Sequence, residues 1–153
     1  MRVVLDTDIV VAAIRSRKGA SRQLLAWAIE GKVEALTSVA LALEYEAIAL
    51  LPKHLDAGGL TRTEVSMLLD ALVAASDPVI VCYKYRPQLR DPNDEMVLET
   101  AINGLADAII TFNLADYRSF GRILPQDFGI VVLQPSEAVM RFRGQTESFR
   151  GRD

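Results

Sequence analysis

Acidic side chains at a few telling places hold the richest chemistry in this sequence. Asp6 closes a short β-branched run, RVVLD, and Asp8 lies two residues later. Asp91 and Asp94 stand where a helical pattern opens, and Glu44 lies inside an otherwise apolar one. Asn113 and Asp116 come after a later apolar run. Three or four carboxylates in one cleft repel one another. A hard divalent cation, Mg²⁺ or Mn²⁺, relieves that repulsion with oxygen ligands. Such a site can activate water and offset charge on a phosphodiester.

Each acid also has a plainer reading. An aspartate after a strand caps a helix. Asp91 and Asp94 suit the positive end of a helix dipole. Asp116 alone reads as a solvated loop acid. Glu44 is harder to dismiss, because its neighbours at helical spacing are Ala40, Leu41, Ala47, Ile48 and Leu51, while Glu46 points the other way. A buried carboxylate is costly without a cation or a raised pKa. Asp94 likewise stands in line with Val97, Leu98, Ala101 and Ile102.

Composition narrows the alternatives. His54 is the only histidine and Cys82 the only cysteine, so a Cys/His zinc cluster and histidine-pair ribonuclease chemistry are excluded. A Ser-His-Asp site could use only His54, which comes after Pro52 in an expected turn and is expected to be exposed. A single cysteine forms no internal disulfide, which suits a reducing, cytoplasmic setting. Lys and Arg number 17 against 20 Asp and Glu, a net charge of −3. Bulk charge therefore does not grip nucleic acid, and a polyanion would need a metal or a local basic patch. No apolar run approaches the ~20 residues of a membrane-spanning helix.

The elements that must position these acids alternate. Residues 2–6, 33–37, 79–83, 107–112 and 130–133 read as short strands. Helical patterns fall at 9–15, from a Ser21 cap to Gly31, from a Ser38 cap to Leu51, from the Thr61–Glu64 capping box to about Ala75, from Asp91 to Gly104, and from Ser136 to about Arg143. Residues 53–60 read as a turn. Strands this continuously apolar suit a parallel sheet covered on both faces. The expected fold is α/β, a three-layer α/β/α sandwich with a central parallel sheet of four to five strands. One domain over 1–143 and a polar, flexible tail over 144–153 complete it. In such sheets ligands bind beyond the carboxyl ends of the strands.

The segments VVLDTDIVVAAI, TSVALALEYEAI, RDPNDEMVLETA and ADAIITFNLADY, in this order, resemble the PIN domain. The likeness spans about residues 2–135 and is nearest the branch of VapC-type toxins of toxin–antitoxin pairs. It implies an α/β/α sandwich and a Mg²⁺- or Mn²⁺-dependent ribonuclease. Asp6, Glu44, Asp94 and Asp116 then match the family's four acids, as metal ligands and catalytic groups. Thr111 and Asn113 would support that end of the site, and Asp91 and Asp107 match acids common in the branch. Asp8 departs from the pattern, since the family more often has Asn there, and it adds negative charge. The fourth acid's role could also be shared with Asn113.

On that reading Arg15, Arg17, Lys18 and Arg22 are candidate RNA contacts, against the plainer reading of a solvated basic loop. The implied partners are RNA, a cognate antitoxin protein and a second copy in a homodimer, seated on the apolar helices at 38–51 and 61–75. Two alternatives stay open. LDTD resembles the nucleophile loop of haloacid-dehalogenase-type phosphatases, with Asp6 as nucleophile. A non-catalytic PIN-like binding scaffold is the other. Trp27 shares an apolar helix face with Leu24 and Ala28 and reads as core or dimer surface.

Overall fold

The computed structural model describes residues 1–84, 92–117 and 125–150, with side chains left aside at 92–94 and 145–150. Its strands are β1 (Arg2–Leu5), β2 (Glu34–Ser38), β3 (Asp77–Val79), β4 (Ala108–Ile110) and β5 (Val131–Leu133). Its helices are α1 (Thr7–Arg15), α2 (Ala20–Ile29), α3 (Val39–Ala49), α4 (Pro52–Gly58), α5 (Arg62–Ala75), α6 (Pro92–Asn103) and α7 (Pro135–Arg150). The strands form one parallel sheet in the order β3-β2-β1-β4-β5, flanked by the helices in an α/β/α sandwich. β1 and β4, buried at every residue but Arg2, make its centre. Two-sided burial explains why their sequences are continuously apolar rather than alternating.

The strand order reverses at β1. The chain leaves β1 toward β2 and β3, then crosses back through α6 to β4 and β5 on the other side. The connections that leave the two central strands therefore diverge at their carboxyl ends, which opens a crevice there. Leu5 is paired with Ile110, and the Asp6 N–H donates to the Ile110 carbonyl at 2.9 Å. Asp6 and Thr111 are thus the first residues past the sheet on adjacent strands.

Local caps match the sequence closely in places. The Ser38 hydroxyl accepts from the Leu41 N–H, and both bonds of the Thr61–Glu64 capping box form. Four expectations need correction. Residues 53–60 are not a turn: Pro52, which ends α3's pattern, also opens α4, and Gly59 closes it in the left-handed region at φ 62°. Gly19, not Ser21, precedes the first residue of α2. The third strand pairs at Asp77–Val79, and Ile80 is 83% exposed. Beyond Val79, Asn103 replaces the ladder, its Oδ1 accepting from the N–H groups of Cys82 and Tyr83 at 3.0 Å each. The last helix continues to Arg150 instead of stopping near Arg143.

His54 is buried inside α4, not exposed, with Nδ1 3.4 Å from the Arg15 Nη1. α4 sits hard against the end of α1. A Cβ on Gly58 would lie 2.4 Å from the Ile14 carbonyl oxygen, a contact that side chains cannot make. Gly58→Ala is expected to destabilise the fold by about 2 kcal/mol, read as a fall in Tm of about 4 °C or more. An unchanged melt would contradict this packing.

Candidate functional site

The residues just past each central strand build the crevice between β1 and β4. After β1 the backbone of Asp6 stays extended (φ −63°, ψ 152°) as the residue before α1, yet its side chain caps nothing in that helix. It turns across the sheet. Its Oδ2 accepts from the Thr111 Oγ1 at 2.7 Å and from the Tyr117 hydroxyl at 3.2 Å. Asp8 lies in the first turn of α1 and faces the loop after β4. Its Oδ2 accepts from the Phe112 N–H at 3.1 Å, with Thr111 Oγ1 and Asn113 Nδ2 each at 3.5 Å. Thr111 is fully buried and also accepts from the Asn113 N–H at 3.0 Å. One threonine therefore ties both acids to the end of β4.

Electrostatics mark the pair. Asp6 is 5% exposed, and burial raises its carboxyl above 3.8 despite the hydrogen bonds from Thr111 and Tyr117 that pull it down. The Asp116 charge raises it a little further, which places Asp116 within electrostatic reach of Asp6. Asp8 is pushed up to about 7, first by burial and then by the Asp6 charge. Its Oδ1 is buried without a hydrogen-bond partner among the described residues. Beneath the pair, the Tyr45 hydroxyl donates to the Leu5 carbonyl, and burial together with both aspartates holds that phenol well above its ordinary value.

The raised acid has a consequence for stability. Between pH 4 and 7 the folded, metal-free chain keeps a proton on Asp8 that the unfolded chain has released. Its stability therefore falls as pH rises through that window. Asp8→Asn should remove part of this slope. In chelator at pH 7.5 its Tm is expected about 2–8 °C above wild type, with the two curves converging near pH 4. Parallel curves at both pH values would refute the assignment.

The remaining candidate residues divide by what the structure describes of them. Glu44 is half-buried on α3 while Glu46 is exposed. The backbone of Asp94 lies in the first turn of α6, above the buried Val97, Leu98, Ala101 and Ile102, but its side chain lies outside the described residues. Asp91 lies outside them altogether. Asp107 is not brought to the site: it precedes β4, at the opposite, amino end of the strands, where its Oδ2 accepts from the Arg2 N–H at 2.7 Å. That role is corrected to fastening the amino ends of β1 and β4. Among the basic residues, Arg15 leans on His54 and Arg22 donates to the Ala13 carbonyl at 3.4 Å. Arg17 is exposed on the connection between α1 and α2, and Lys18 lines a cavity beside Phe112.

Sequence reading misses Tyr45 and Tyr117, both of which bond at the base of the acid pair. The pattern T-x-N-x-x-D-Y is legible, but nothing in it shows that the tyrosine, rather than the aspartate, reaches Asp6. It also misses Glu95 and Glu99, buried one turn apart on α6. Among the described residues no three His, Cys, Asp or Glu side chains gather as a ready metal cage. Asp6 and Asp8 nonetheless fit a cation: two neighbouring carboxyls whose charged forms burial disfavours, with one Asp8 oxygen unpartnered among the described residues.

Comparisons with known proteins agree with this architecture. No curated protein matches the sequence. The fold is similar to a chain in the crystal structure of VapBC2 from Rickettsia felis bound to a DNA fragment from their promoter. That likeness has a TM-score of 0.58 at 17% identity and covers 88% of this chain and 98% of that one. Residues 2–115 match the PIN domain, a span that runs from β1 through both acids to the loop after β4, and the chain belongs to that family.

Proposed function

We propose that this protein is a Mg²⁺- or Mn²⁺-dependent endoribonuclease, the toxin of a toxin–antitoxin pair. The observation that carries this reading is the buried Asp8 Oδ1, without a partner among the described residues, set beside the buried Asp6 at the β1/β4 crevice. Asp6 and Asp8 would hold the cation from α1's side of the crevice, Asp116 from the loop after β4. Glu44 and Asp94 are the further ligands that family membership suggests. When bound, the cation supplies an activated water and offsets charge on the phosphodiester.

The chain's own residues do the positioning. Thr111 and Tyr117 fix Asp6 by donating to its Oδ2. The Phe112 N–H fixes Asp8 in the same way. Tyr45 stays protonated at neutral pH and buttresses the end of β1. With both acids raised, a proton must leave this pair before a cation is held, so cation affinity should fall as the medium turns acidic.

The test is cleavage of a panel of structured RNAs with and without Mn²⁺. Metal-dependent cutting that yields 5′-phosphate ends is the expected result. Intact RNA together with no Mn²⁺ binding in titration would overturn it in favour of a non-catalytic scaffold. A phosphoenzyme on Asp6 would overturn it in favour of a phosphatase.

The surface suggests where partners sit. Val39 and Leu43 on α3 and Met67 on α5 are exposed apolar side chains, and Leu43 lines a groove of about 460 Å³ between α3, Pro52 and Arg62. We read this face as covered by a second copy and by an antitoxin. Light scattering at micromolar concentration should return the mass of a dimer, and a monomer would contradict it.

A further inference from the structure

β2 changes neighbour along its length. It pairs with β1 at Glu34 and Ala35, and with β3 from Leu36 to Ser38. Toward the crevice end, side chains join what the ladder leaves apart. From α3, the Tyr45 hydroxyl donates to the Leu5 carbonyl at the end of β1. Ser38, the last residue of β2 and the cap of α3, turns instead to α6, where its Oγ lies 2.7 Å from the Thr100 Oγ1. Both hydroxyls are buried, Thr100 completely.

The protons of this contact can be placed. Thr100 donates to the Met96 carbonyl at 2.7 Å, and a carbonyl only accepts. The Thr100 oxygen therefore accepts from Ser38, which in turn accepts from the Leu41 N–H at 3.3 Å. A directed chain results, from the Leu41 N–H through Ser38 and Thr100 to the Met96 carbonyl. Each hydroxyl gives one proton and takes one, and a buried network satisfied in this way is rigid. Elsewhere α6 meets the core through Val97, Leu98, Ala101 and Ile102. Apolar contact is non-directional, whereas a buried hydrogen bond fixes both distance and angle. The hydroxyl chain thus sets where α6 stands along α3.

These two helices carry Glu44 and Asp94, the further ligands in the reading above. We propose that Ser38 and Thr100 are positioning residues for the cation site: their hydroxyl chain fixes the start of α6 against α3, and so holds the two acid-bearing helices in the relation a cation needs. The proposal rests on that reading's ligand set and does not depend on RNA being the substrate.

Mn²⁺ titration of the full chain by calorimetry, without RNA, tests it. Thr100→Val keeps the shape of the side chain, leaves Ser38 as the cap of α3 and breaks the link to α6. Mn²⁺ affinity should fall about 10-fold, and Thr100→Ser should restore it. In an Asp94→Asn background the valine should cost nothing more, because that helix start then has no acid to place. A valine variant that melts lower but binds Mn²⁺ as wild type does would overturn the proposal. An equal loss with and without Asp94 would overturn it too, as would Asp94→Asn with wild-type affinity. Ser38→Ala breaks the same chain from the side of α3 and serves if the valine variant does not fold. It costs α3 its cap, yet its loss of Mn²⁺ affinity should show the same dependence on Asp94. Titrations that behave as expected in a chain that leaves every RNA intact would sink the nuclease reading alone and leave Ser38 and Thr100 in their role.

Discussion

Asp6→Asn should lower Mn²⁺-dependent RNA cleavage by about 10³-fold or more, with the melt unchanged or higher. The two halves of this result come from one geometry. The Asn amide oxygen can still accept from Thr111 and Tyr117, so the packing at the end of β1 survives. What is lost is a charge that burial already disfavours, so its removal does not weaken the metal-free fold. The same charge is what a divalent cation needs. Single-turnover rates on one RNA substrate, beside thermal melts in chelator, would measure both. Full cleavage by the variant would remove Asp6 from the chemistry.

Thr111→Val is the second large effect. The swap preserves shape at a fully buried position and deletes one hydroxyl. That hydroxyl donates to Asp6 and accepts from the Asn113 N–H, so two groups lose partners together. A cost of about 1–3 kcal/mol results, or about 2–12 °C in Tm. Cleavage should fall about 10²-fold, because Asp6 is then aimed by Tyr117 alone. Thr111 acts through Asp6, so it is a positioning residue. Thr111→Ser, which keeps the hydroxyl, should restore most of the rate, and the loss should appear in kcat more than in KM. A valine variant that melts low yet cleaves at the wild-type rate would reduce Thr111 to a structural role.

Much of this architecture is legible in the amino-acid order alone. The β-branched runs VVL, AII and IVVL announce a buried parallel sheet, and the Thr61–Glu64 capping box announces a helix start, because both signals are local. The third strand misleads because Val79–Tyr83 is apolar, whereas pairing there is decided by the residues opposite. β2 offers Leu36–Ser38 to Asp77–Val79, and the Asn103 side chain then takes over from the ladder. Pro78 is tolerated because the strand is at the edge. Asp6 and Asp8 can be singled out by their place after a strand. Thr111 is reached only through the family resemblance, and Phe112 and Tyr117 are not singled out at all, because these partners arrive over a hundred residues later through topology. Asp107 misleads for a related reason: sequence shows an acid next to a central strand but not at which of its ends the cleft opens. His54 takes its expected exposure from a turn at 53–60, and it changes character because that stretch is a helix packed on α1.

The central pairing also sets a clock. β1 is made before its neighbour β4, and the threonine that holds Asp6 lies 105 residues downstream. At about 5–20 residues per second, synthesis leaves β1 without that neighbour for about 5–20 s. During this wait Asp6 and Asp8 sit on a strand edge in water, with ordinary acidity and no crevice. Contacts this distant in sequence also make folding slow once the chain is complete. A nascent chain released anywhere before β4 therefore carries both aspartates and has no crevice between β1 and β4.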